Sequence, residues 1–198
     1  MIVLRDLFKV RLDKPSIATI GTFDGVHLGH QKILKSLISN SKQSSLKSVL
    51  ITFDPHPRKI LDPNSKIELI NTIDEKVDVL KKLELDYLVI HEFSKNFSNI
   101  DAEEFVKILI DKLNIKKLIV GYDHRFGKNR SADIDDLKEF GNKYGFEVIE
   151  ISAFDVEEIK ISSTKIRSSL QNGKIEICRK YTGFNFKLSG KVVRGMSR

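Results

Sequence analysis

Short β-branched runs alternate with amphipathic segments along most of this chain, and that alternation limits the folds open to it. Ile17–Phe23, Ser48–Phe53, Tyr87–Ile90, Lys117–Gly121 and Glu147–Ile151 read as strands. His30–Asn40, Ile73–Leu83, Ala102–Leu113, Ile134–Tyr144 and Ser163–Gln171 read as the helices between and after them. In Ala102–Leu113 the residues Phe105, Val106, Leu109, Ile110 and Leu113 make one apolar stripe, and Asp101 stands where an N-cap belongs. Gly141 weakens Ile134–Tyr144 as a helix but does not end it. Strand and helix in strict succession predict an α/β fold: a Rossmann-like, doubly wound parallel sheet with helices on both faces.

In such sheets ligands bind beyond the carboxyl ends of the strands. Four polar loops fall on that rim. Gly21-Thr22-Phe23-Asp24-Gly25-Val26-His27-Leu28-Gly29-His30 follows the first predicted strand and opens a helix carrying Ile33, Leu34, Leu37 and Ile38 on one face. A helix start has unpaired N–H groups and a positive dipole end, and glycines let backbone approach an anion, so this segment predicts a phosphate site. Asp54-Pro55-His56-Pro57-Arg58 follows the second strand, and two prolines stiffen it. Tyr122-Asp123-His124-Arg125-Phe126-Gly127 follows the fourth. Ser162-Ser163-Thr164-Lys165-Ile166-Arg167 comes after the fifth, with a serine to cap the helix and Arg167 one turn on. A His-x-x-His metal pair is the rival reading of His27 and His30, but no Cys or third His lies near in sequence.

The formal charge of +7 is unevenly placed. Residues 161–198 carry +8 and residues 1–160 carry −1. A nucleic-acid binder spreads its basic patch over a binding face, so a solvated basic tail is expected, with no nucleic-acid partner. No apolar run approaches the length of a membrane span. Arg5, Asp6, Lys9 and Arg11 interrupt the N-terminal segment, which excludes a signal-peptide core there. Cys178 is the single cysteine, which rules out an internal disulfide framework and fits a reducing, cytoplasmic setting.

The four loops together resemble the N-terminal module of bacterial bifunctional riboflavin kinase/FAD synthetases, an FMN adenylyltransferase of the His-x-Gly-His nucleotidyltransferase type. The matching residues are Gly21–His30 with Gln31, Thr52–Pro57, Gly121–Gly127 and Ser162–Arg167. His-x-Gly-His alone is shared across a superfamily; the ordered set of four is specific to the flavin branch. His124 departs from the Phe or Tyr common at its position.

The resemblance implies transfer of AMP from ATP to FMN, giving FAD and pyrophosphate, with Mg2+ accompanying ATP and no tightly bound organic cofactor. It implies catalytic roles for His27, His30, Asp123 and Arg167. It assigns ATP to Gly21, Thr22, Phe23, Asp24, Gly25, His27, His30, Lys160, Ser163, Thr164 and Arg167, and FMN to Phe53, Asp54, Pro55, His56, Asp123, Arg125 and Phe126. Asp24 has a second reading, in which it orients His27 or the turn without touching ligand. Lys128, Asn129, Arg130 and Ser131 are expected to continue the third loop as a flap. The alternatives are a nucleotidyltransferase acting on another phosphorylated acceptor, of the nicotinate mononucleotide or phosphopantetheine type, and a non-catalytic nucleotide- or RNA-binding regulator.

Residues 1–173 are expected to form the adenylyltransferase domain. Residues 174–198 read as a linker and the start of a riboflavin kinase-like β domain, because Phe184–Val193 alternates like a strand. The kinase's phosphate- and riboflavin-binding segments have no counterpart in the sequence, so this chain is not expected to phosphorylate riboflavin.

Overall fold

The computed structural model describes residues 1–121, 125–151, 161–187 and 189–195. Its centre is a six-stranded sheet of β1 (Ile2–Arg5), β2 (Ser16–Ile20), β3 (Lys47–Phe53), β4 (Tyr87–His91), β5 (Ile115–Gly121) and β6 (Glu147–Ile151). The strand order is β1-β4-β3-β2-β5-β6, and every pairing is parallel. The chain winds outward from β2 through β3 and β4, then crosses to β5 and β6 on the other side. The reversal of direction between β2 and β5 is the topological switch point, where a crevice opens at the carboxyl ends.

The helices are α1 (Leu28–Gln43), α2 (Pro57–Leu61), α3 (Ile73–Leu80), α4 (Lys95–Ser98), α5 (Ala102–Leu113), α6 (Ile134–Tyr144), α7 (Ser163–Gln171) and α8 (Ile175–Thr182). Two apolar clusters sandwich the sheet. One sets Phe105, Val106, Leu109 and Leu113 of α5 against Ala18, Val49, Val89 and Leu118 of the strands. The other sets Leu34 and Leu37 of α1 and Leu80 of α3 against Ile17, Leu50, Leu88 and Ile119. Alternate residues of each strand therefore enter opposite clusters, as a parallel sheet buried on both faces requires.

Three helices keep the predicted bounds, and each has a local cause. Asp101 caps α5 by accepting from the Glu104 N–H at 2.8 Å. Asp133 and Asp136 form a capping box on α6. Ser162 caps α7 by accepting from the Lys165 N–H. Gly141 belongs in α6 because a Cβ there would lie 2.6 Å from the Phe146 carbonyl oxygen.

Other expectations need correction. The first predicted strand stops at Ile20 instead of Phe23, because Phe23 and Val26 take positive φ and turn the chain. α1 starts at Leu28 instead of His30, so His27 is its N-cap. α3 ends at Leu80 instead of Leu83. The sequence reading missed β1, which adds to the outer edge of β4. It also missed α8: Ile175–Thr182 is helical and packs on α7 through a third apolar cluster of Ile70, Ile166 and Cys178. Cys178 is buried there, its Sγ 3.4 Å from the Lys174 carbonyl oxygen. No strand forms among the described residues of Phe184–Val193. The expected flap is a short 3-10 turn at Lys128–Arg130, closed by a bridge between Phe126 and Ala132.

Leu37 is fully buried under the sheet and anchors α1. Leu37→Ala should lower unfolding free energy by about 2–5 kcal/mol, read as a lower denaturant midpoint at unchanged slope.

Candidate active site

The turn from β2 into α1 holds its shape by burial. Phe23, Asp24, Gly25, Val26 and His27 are all buried. Phe23 has φ 46° and Val26 has φ 39°, a left-handed conformation that costs a β-branched residue most. Strain of this kind persists only where surrounding structure over-determines it, and it concentrates at functional sites.

Asp24 supplies much of that determination. One carboxylate oxygen accepts from the Ile70 N–H at 3.1 Å, and the other accepts from Arg167 Nη2 at 2.7 Å. The Asp24 carbonyl accepts from Ser163 Oγ at 2.9 Å. Arg167 also donates from Nε to the Glu68 carbonyl at 2.8 Å. The Asp24 side chain is 2 % exposed and that of Arg167 is 16 % exposed. A buried ion pair of this kind is costly to break, because removing one partner leaves an uncompensated charge. The pair fastens the start of α7 to the turn before α1, and it commits two of Arg167's donors to the protein.

The two histidines adopt a defined arrangement. His27 Nδ1 accepts from the His30 N–H at 3.2 Å, which puts the proton of a neutral ring on Nε2. The two imidazoles stack with centroids 3.6 Å apart and 14° between planes. His30 lies against Phe23, with ring centroids 4.8 Å apart, and its Nδ1 is buried with no hydrogen-bond partner among the described residues. Gly29 makes the stack possible: a Cβ there would sit 3.2 Å from His27 Nδ1. Burial pushes His27 down to about 4, against the opposing pull of Asp24. Burial also lowers His30, and His27 and Lys76 add to the effect. Both rings are therefore neutral at pH 7.

The end of β3 and the loop after it lie beside the same turn, where Thr52 Oγ1 donates to the Thr22 carbonyl at 3.0 Å. His56 caps α2, with Nδ1 accepting from the Arg58 N–H at 3.1 Å. Asp24, Arg167 and Lys76 all act electrostatically on His56, whose pKa burial lowers. Gly21, Thr22, Phe23, Asp24, Gly25, His27, His30, His56, Ser163 and Arg167 thus come together at the carboxyl ends of β2 and β3. Phe53 belongs to an aromatic cluster beside them. Its ring lies 5.4 Å from Phe93 and 5.6 Å from Phe97, and Phe97 lies 4.4 Å from His91. Asp54 and Pro55, joined by a cis peptide bond, are half-buried between the cluster and the turn.

Other expected residues lie elsewhere. Phe126 packs into the hydrophobic core, with its ring 6.4 Å from Phe105. Arg125 and Thr164 are exposed. Asp123, with Tyr122 and His124, and Lys160 lie outside the described residues. The sequence reading missed Lys76, Phe93 and Phe97. Lys76 carried one signal: with Ile73, Val77 and Leu80 it falls on the apolar face of its helix, where a lysine is out of place.

No group of three or more His, Cys, Asp or Glu able to hold a metal ion occurs among the described residues. The buried carboxylate of the site, Asp24, is paired. No helix among the described residues is long and apolar enough to cross a membrane.

The FAD synthetase family model matches residues 9–165. The chain belongs to the FAD synthetase family. It is similar to the bifunctional riboflavin kinase/FMN adenylyltransferase of Buchnera aphidicola subsp. Schizaphis graminum, 43% identical over 187 residues, covering 93% of this chain and 60% of that protein. The protein of the same description from Escherichia coli is 31% identical over 180 residues, covering 90% of this chain and 58% of its own length. The chain thus spans about three fifths of these relatives. A crystal structure described as a macrolide-efflux protein from Streptococcus pneumoniae superposes with a TM-score of 0.82 at 28% identity, covering 92% of this chain and 60% of that one. This FAD synthetase fold is the α/β, Rossmann-like parallel sheet that the alternation predicted.

The depressed histidines give the family member a pH signature. With folded values below the ordinary 6.5, the unfolded chain takes up protons first as pH falls. The folded state therefore keeps its full stability above about pH 6.5 and loses it toward pH 4. For His27 the loss is about 2–3 kcal/mol. Denaturant midpoints at pH 7 and pH 4.5 should fall further apart for wild type than for His27→Gln.

Proposed function

We propose that this chain is an FMN adenylyltransferase, joining the FMN phosphate to the AMP of ATP. The stacked, neutral His27–His30 pair at the start of α1, fastened to α7 through Asp24 and Arg167, carries the reading. A phosphate oxygen of FMN attacks the α-phosphorus; a new P–O bond forms, the bond to the β-phosphate breaks, and pyrophosphate leaves with the electron pair. The nucleophile is already an anion, so no strong base is required. The protein's task is to align two anions and stabilise charge that grows on phosphoryl oxygens.

His27, whose Nδ1 contact leaves Nε2–H as its donor, stands at the N-cap of α1 and is the donor assigned to that charge. The N–H groups of Leu28 and Gly29 in the first turn of α1 and the remaining Arg167 donors extend the anion cradle around the ATP phosphates. Magnesium would arrive on the triphosphate and supply charge neutralisation at its oxygens. On the flavin side, Phe53, Phe93 and Phe97 offer ring faces and edges to an aromatic system, with Asp54, Pro55 and His56 as the rim. These aromatic contacts favour a flavin phosphate over nicotinate mononucleotide or phosphopantetheine. Asp123 and Lys160 remain assigned to the phosphates by family likeness. Ile175–Thr182 packs on α7 and is assigned to the adenylyltransferase unit, and riboflavin phosphorylation is assigned to the part of the relatives that this chain does not span.

Incubation with ATP, Mg2+ and FMN should yield FAD and pyrophosphate, resolved by chromatography, while riboflavin with ATP should remain unchanged. Faster adenylyl transfer to nicotinate mononucleotide or phosphopantetheine than to FMN would overturn the substrate assignment. His30→Ala should slow FAD formation at least about 100-fold with a melting temperature within a few degrees of wild type. Gly29→Ala is the subtler test. Alanine favours the helix by about 1 kcal/mol, yet its Cβ crowds the His27 ring. Turnover should drop at least tenfold without loss of thermal stability.

A further inference from the structure

Lys76 is a lysine buried to 6 % exposure in the second turn of α3. A buried ammonium costs several kcal/mol unless it is paired and hydrogen-bonded. Its partners explain its retention. Nζ donates to the Thr22 carbonyl at 2.7 Å, and the same carbonyl accepts from Thr52 Oγ1 at 3.0 Å. Asp24 and Asp54 both favour its charged form, against the lowering effect of burial. Thr22 and Asp24 belong to the turn before the histidine pair. Thr52 and Asp54 belong to β3 and the loop that follows it. The helix that carries Lys76 is itself set by a Thr72–Glu75 capping box, two residues beyond the Ile70 N–H that binds Asp24.

We propose that Lys76 is a positioning residue for adenylyl transfer: its buried ammonium and the Thr52 hydroxyl together hold the Thr22 carbonyl, fixing the nucleotide-side turn against the end of β3 that leads into the flavin-side loop, and with it the distance between the two substrate subsites. This inference rests on the FMN adenylyltransferase reading. Separation of the two phosphates governs how often they meet in line, so the clamp acts on the bound complex and hardly on the binding of either substrate. Small misplacements in such a site carry rate penalties of about 100-fold.

The test is steady-state FAD formation by wild type, Lys76→Met and Lys76→Arg, with ATP and FMN varied separately. Lys76→Met is expected to lose kcat about 100-fold while each KM changes less than about threefold. Lys76→Arg keeps a charged donor, so part of kcat should return. Lys76→Gln, which keeps a donor toward Thr22, gives the same kcat-against-KM readout if the methionine variant fails to fold. A variant with lowered melting temperature but wild-type kcat would reduce Lys76 to a structural residue and overturn the proposal. Absence of FAD from the wild-type incubation would instead sink the adenylyltransferase reading itself.

Discussion

Asp24 and Arg167 are far apart in sequence, yet their 2.7 Å contact joins the first crossover of the sheet to the helix that follows the last strand, and the rest of the site depends on it. Each half of the candidate site is built by local rules: a capped helix start on one side, a serine-capped helix on the other. Neither rule brings the halves together. The buried aspartate does so by binding three partners at once, the guanidinium, the Ile70 N–H and, through its own backbone, Ser163. Its exclusion from water makes the arrangement all-or-none, since any partial loosening exposes an unpaired charge to a poorly solvating surround.

The neutrality of the two imidazoles follows from the same packing. Stacking at 3.6 Å leaves no room for water between the rings, and two positive charges at that separation would repel strongly. The His27 tautomer is fixed by its Nδ1 contact, while the formal positive charge nearby sits on Arg167 and Lys76. Asp24 acts on both of these, so the candidate site carries limited net charge of its own.

The sequence disclosed the layered architecture because its signals were periodic and redundant. Phe105, Val106, Leu109 and Leu113 repeat at helical spacing behind a carboxylate cap, and β-branched runs of five to seven residues are hard to read otherwise. β1 escaped because Arg5 ends a run of only four residues whose partner, β4, is remote in the chain. Helix Ile175–Thr182 escaped because its lysine, arginine and glutamate mask a short apolar face that becomes evident only against Ile166 and Ile70. His27, His30, Asp24, Ser163 and Arg167 were singled out by motif and position, and the structure brings them together. What each one touches was not legible: Arg167 binds Asp24, and Phe126 goes into the core. Lys76 escaped for a simpler reason. A lysine in an amphipathic helix is read by default as part of the wet face, even when its spacing matches Ile73, Val77 and Leu80, and only the tertiary contact with Thr22 reverses that reading.

The lone thiol has a practical consequence. Cys178 is 1 % exposed, hydrogen-bonded to two backbone carbonyls, and raised in pKa by burial. Thiolate is the reactive form, so maleimides and similar reagents will pass the native protein by. A cysteine placed at the exposed Thr164 or Arg58 would then be the sole accessible thiol among the described residues. Spectroscopic probes can be attached there without first stripping the protein of its own sulfhydryl, and ligand binding can be followed directly in solution.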